Sequence, residues 1–121
     1  MIRITPKYIE EQFWLERKFK GVLTVEQIEK VVCSHFNVTI EQVMTGTRKY
    51  NITECRHLIW YYLRQIGLKQ EQIVKMYNRK NHTSLIHAIE KITNLLQVDD
   101  TMKYHISKIN TQLNLPQHDH K

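Results

Sequence analysis

At 121 residues the chain has the length of one domain, enough to bury a core without disulfide or metal staples. Three glycines and two prolines leave few positions for turns, which favours long helices over many short strands, and no apolar run is long enough to cross a bilayer. The net charge of +6 is localised: residues 48–91 hold nine Lys and Arg against three acidic residues, while the flanks carry nine of each sign. A surplus focused in this way favours a polyanionic partner, the alternative being a solvated basic face with no ligand. Without a secretory leader, the chain reads as a cytoplasmic protein. Cys33 and Cys55 fall in separate predicted helices without Cys-x-x-Cys spacing and read as reduced core thiols.

Tyr8, Ile9, Phe13 and Trp14 recur at helical spacing between Pro6 and Phe19, predicting an amphipathic helix that Gly21 punctuates. Thr24 and Gln27 form a capping-box pattern opening a helix with Val25, Ile28, Val32 and Phe36 on one face. A second box, Thr39 with Gln42, opens a short helix that ends near Gly46. Thr47 to Asn51 is polar and basic and reads as a loop. Thr53 is placed to cap the next helix, whose Ile59, Tyr62, Leu63 and Ile66 fall at core spacing before Gly67. Trp60, Tyr61, Tyr62 and Tyr77 read as core aromatics, not base-stacking platforms.

A short helix from Gln70 to Tyr77, a polar turn through Asn78, Arg79, Lys80 and Asn81, and a longer helix from His82 to Gln97 make a helix-turn-helix pattern. Leu85, Ile89, Ile92 and Leu96 form the apolar stripe of the second helix, which leaves His82, Thr83, Ser84 and His87 grouped toward its start. Asp99 and Asp100 suit the start of a last helix carrying Met102, Ile106, Ile109 and Leu113. The resulting division is a helical extension over residues 1–22, one domain over 23–115 and a disordered tail over 116–121.

The run Arg79-Lys80-Asn81-His82-Thr83-Ser84-Leu85-Ile86-His87-Ala88, with Lys91 and Ile92, resembles the C-terminal DNA-binding domain (domain IV) of the bacterial chromosomal replication initiator DnaA. In that family a basic residue and an Asp or Asn precede His-Thr-Thr/Ser. The resemblance extends from the family's basic loop at Arg48 through Arg56 and Arg64 to Leu96. It implies an all-α bundle containing a helix-turn-helix, of the Trp-repressor-like kind, and sequence-specific binding of double-stranded DNA as a monomer at the nucleoid, in replication or transcription control.

Chemistry assigns roles within that frame, because a recognition helix reads the major groove with polar side chains of its first turn. Asn81 can engage an adenine edge bidentately, His82 can donate to a purine acceptor, and the Thr83 methyl can meet a thymine methyl. Lys80, Ser84 and His87 fall to phosphates, aided by the amides of the helix start. Arg48, matching the family's basic-loop arginine, is the candidate for the adjacent minor groove, with Lys49 beside it. Lys69 and Gln70, at the start of the motif's first helix, and Arg64 are further phosphate candidates.

Competing readings exist for each of these. His82 could cap its own helix, Arg48 and Lys49 could be solvated loop charges, and Arg56 could pair with a carboxylate. Val74 stands where the family has Gly or Ala, and Cys55 and Glu54 occupy positions where Pro and basic residues are common, which lowers the expected backbone attraction. No Gly-x-x-x-x-Gly-Lys-Ser/Thr phosphate loop is present, so the initiator's ATPase is not expected. No enzyme, cofactor or metal site is expected: His82 and His87 lie on different helix faces, and His118, Asp119 and His120 in the tail offer only adventitious chelation. The main rival is a protein-interaction adaptor that has lost DNA binding, with the aromatic N-terminal helix docking a partner.

Overall fold

The computed structural model describes residues 23–79 and 82–113, so the expected N-terminal helix, Lys80, Asn81 and the C-terminal tail lie outside the described residues. Among the described residues six helices follow in order: α1 (Val25–Phe36), α2 (Ile40–Met44), α3 (Tyr50–Gln65), α4 (Gln70–Met76), α5 (Thr83–Val98) and α6 (Asp100–Leu113). The described chain is all-α, as the sequence predicts.

Both capping boxes are present. The Gln27 amide donates to Thr24 Oγ1 at 3.1 Å while the Thr24 amide donates to Gln27 Oε1 at 2.8 Å, and Gln42 and Thr39 repeat the exchange at 3.1 and 2.9 Å. Asn37 ends α1 in the left-handed region (φ 58°), which lets the Val38 amide reach back 2.9 Å to the Cys33 carbonyl. Gly67 does the same for α3 with φ 107°, a conformation that glycine adopts without a Cβ clash. Asp99 Oδ2 accepts from the Met102 amide at 2.8 Å and opens α6.

α3 is the spine. It packs against α1, α2, α4 and α5, and α6 closes the bundle against α1 and α5. Its buried residues therefore run around the whole helix: Ile52, Leu58, Ile59 and Leu63 face neighbours together with Trp60, Tyr61 and Tyr62. The predicted start of α3 is corrected here. Thr53 does not cap it; its amide is already inside the helix, donating 2.9 Å to the carbonyl of Lys49, so the helix begins at Tyr50. Burial of Ile52 supplies the reason, since this residue joins the core only if the first turn is formed.

Cys33 and Cys55 are buried free thiols, Sγ to Sγ 3.9 Å, linking α1 to α3 as reduced core residues. α6 is fastened by the buried Tyr62 hydroxyl, which donates to Asn110 Oδ1 at 2.6 Å, and by a 2.8 Å contact between His35 Nε2 and His105 Nδ1. Burial pushes the Tyr62 phenol well above its ordinary range. Burial, followed by the nearby His105 and Lys108, lowers His35. Among the described residues, no helix is long and apolar enough to cross a membrane.

Candidate functional site

α4, the turn after it and α5 form the helix-turn-helix. Gln72 Oε1 accepts from the Lys69 amide at 2.7 Å, fixing the entry to α4, and Asn78 takes the left-handed conformation (φ 57°) that turns the chain, with the Arg79 amide reaching the Val74 carbonyl at 2.8 Å. Two packed aromatics hold the turn in place. Tyr77 is buried against Trp60, ring centroids 6.0 Å apart, and its hydroxyl donates to Glu29 Oε2 at 2.5 Å. The Arg79 guanidinium lies 5.7 Å from the Trp60 ring centroid, a cation–π contact at the same corner.

α5 begins at Thr83, one residue later than the predicted start at His82, which takes the capping position. The His82 side chain makes no capping hydrogen bond; its carbonyl accepts from the Ile86 amide at 2.9 Å. Leu85, Ala88 and Ile92 are the buried positions of α5, with Ile89 and Leu96 partly buried beside them, so the stripe is rotated slightly from the predicted one. Thr83, Ser84 and His87 are exposed on the opposite side. The first turn of α5 thus presents the predicted polar group to solvent on a helix whose other face is locked in the core.

The basic loop is more ordered than its composition suggests. Thr45 Oγ1 donates to the Gln42 carbonyl at 2.7 Å, the Thr47 amide to Thr45 Oγ1 at 3.3 Å, and the Lys49 amide to Thr47 Oγ1 at 3.4 Å. Arg56, nearly fully buried, spans the loop from beneath. Its Nε donates to the Val43 carbonyl at 2.9 Å, and its Nη2 to the carbonyls of Thr45 at 2.9 Å and Thr47 at 3.3 Å. Arg48, Lys49 and Tyr50 stand exposed on top. Arg56 therefore bonds to carbonyls and not to the carboxylate that the sequence left open.

Two further charges have structural partners. Arg64 is buried, and its Nη1 donates to the Leu68 carbonyl at 2.9 Å, closing the α3–α4 turn. Glu54 is buried, with Lys91 Nζ of α5 3.9 Å away. His57 carries no partner on its buried Nδ1 and is pushed down to about 4, first by burial and then by Lys91, Arg56 and Arg79. It is neutral at pH 7. Lys69 is exposed and Gln70 half-exposed at the start of α4.

The roles of Arg56, His57 and Arg79 escaped the sequence reading. Arg56 had a legible signal: Ile52, Arg56, Ile59, Leu63 and Ile66 fall at spacings of four and three, so a charge sits in the core stripe and needs partners there.

Residues 25–92 match the family model described as the bacterial dnaA protein helix-turn-helix. Chromosomal replication initiator proteins DnaA of Campylobacter jejuni subsp. doylei, of a serotype O:6 strain of subsp. jejuni and of strain RM1221 are each 26% identical over 95 residues, covering 78% of this chain and 22% of the relative. The chain thus spans about a fifth of the length of these curated relatives. The matched span includes the basic loop, Arg56, the α4–α5 turn and the exposed first turn of α5, and on it the chain belongs to the bacterial DnaA helix-turn-helix family.

Proposed function

We propose that residues 23–115 bind double-stranded DNA sequence-specifically, with the start of α5 in the major groove and the basic loop at the adjacent minor groove. The observation that carries this reading is the polar first turn of α5: Thr83, Ser84 and His87 exposed and His82 without a capping bond, on a helix whose apolar face is packed against α3 and α6. Asn81, His82 and Thr83 read base edges there, and Arg48 senses the minor groove. Lys80, Ser84, His87, Arg64, Lys49, Lys69 and Gln70 hold phosphates and fix register. The reading makes the chain a non-enzymatic DNA-binding module acting as a monomer, in replication or transcription control.

Selection from random-sequence duplexes tests it. Recovery of one common motif supports the proposal. Recovery of unselected sequence, or no duplex retained at low salt, favours the adaptor reading instead.

A further inference from the structure

We propose that Arg56 is a positioning residue that presets the basic loop, so that Arg48 meets DNA in one geometry; this rests on the duplex-binding reading above. Its guanidinium is 4% exposed, and each of its described hydrogen bonds ends on a main-chain carbonyl: Val43, Thr45 and Thr47. Those carbonyls run from the last turn of α2 into the loop, where a helix C-terminus leaves acceptors without intrahelical donors. A planar fork with several donors fixed in one plane can tie three of them together. An ammonium group cannot reproduce that geometry.

The cost of this arrangement points to its purpose. Burial, and then the neighbouring Arg79, lower the affinity of Arg56 for its proton, so the guanidinium is kept in an unfavourable place. The nearest carboxylate on its own helix, Glu54, lies beside Lys91 instead. A loop needing only positive charge would place Arg56 in solvent beside Arg48 and Lys49. What the buried fork supplies is order, in a segment that would otherwise lose conformational freedom on meeting a ligand. Because Arg79 packs on Trp60 at the α4–α5 turn and acts electrostatically on Arg56, the loop's anchor and the turn preceding α5 share one corner of the fold.

Arg56→Lys separates order from charge, because it keeps the charge and removes the fork. The probe is a pair of duplexes: the selected site, and the same site changed at the base pairs to which Arg48→Ala becomes indifferent. Arg56→Lys should bind random duplex within about twofold of the wild type with an unchanged salt slope, yet lose the discrimination between the pair as far as Arg48→Ala does. Combining Arg56→Lys with Arg48→Ala should add no further loss. Should Arg56→Lys fail to fold, Thr45→Gly with Thr47→Gly loosens the same loop while leaving Arg56 in place, and it should lose the same discrimination. Retained discrimination in the folded lysine variant, or in the double-glycine variant, overturns the proposal. Equal loss on every duplex with a shallower salt slope also overturns it, by making Arg56 a direct phosphate contact. A wild type that shows no preferred site would fail the binding proposal itself, a result visible before any variant is compared.

Discussion

The Tyr62 hydroxyl and Asn110 Oδ1, 48 residues apart in sequence and 2.6 Å apart in space, join the central helix α3 to the closing helix α6 in the buried core. Tyr62→Phe removes the donor and leaves a buried amide oxygen unpaired, which should cost about 1–3 kcal/mol. Removing both polar groups with Asn110→Leu in the same chain should cost less than the two single losses summed. Denaturant unfolding of the three variants measures this; strict additivity would mean that the two groups do not interact.

His57 makes folding depend on pH. Its folded-state value is pushed down to about 4 against 6.5 for an exposed histidine, so the unfolded chain takes up the proton first. Its neutral form contributes stability that is complete above pH 6.5 and is lost as pH falls toward 4, at up to about 1.4 kcal/mol per pH unit. Unfolding free energies from pH 7 to 4 should show this slope, and His57→Gln should flatten it. An unchanged slope in the variant would assign the acid sensitivity to other groups, His35 among them.

Much of this fold is legible in the sequence because local chemistry and burial agree. Thr24 and Thr39 have Gln three residues later, Gly67 stands at a helix end, and the apolar positions of α1, α5 and α6 repeat at three and four. Legibility failed where tertiary packing outvoted a local signal. Thr53 has a capping side chain, but burying Ile52 forces the helix to begin before it. Arg64 and Arg56 look like surface cations in a basic segment, and only the path of the neighbouring chain shows that carbonyls of Leu68 and of the loop meet them. The candidate reading residues were legible by motif, whereas the device holding the loop beneath Arg48 depends on contacts between α3 and the segment after α2.

Duplex affinity should fall steeply with salt, by about 0.9 log units per log unit of salt for each phosphate contacted. Lys80→Ala should weaken all duplexes alike, while Arg48→Ala should weaken preference at one end of the site. Fluorescence anisotropy over a salt series, on selected and shuffled duplexes, separates the two. Equal losses on every sequence for both variants would contradict the assigned roles.

Asn81 both donates and accepts and so suits adenine, whereas an Asp carboxylate only accepts and suits the cytosine amino group. Asn81→Asp should shift the selected base at one position from adenine toward cytosine with little change in thermal stability. Identical selected motifs from the two proteins would remove Asn81 from base reading.

Base reading by the first turn of α5 is tested most directly by the affinity of wild type and His82→Ala for the selected duplex and for random duplex, with thermal stability followed in parallel. Since the His82 side chain makes no capping bond, its removal should leave the fold intact, cost roughly 1–3 kcal/mol on the selected site and cost little on random DNA. Equal affinity of both proteins for both duplexes, or a collapse of stability in the variant, would contradict it.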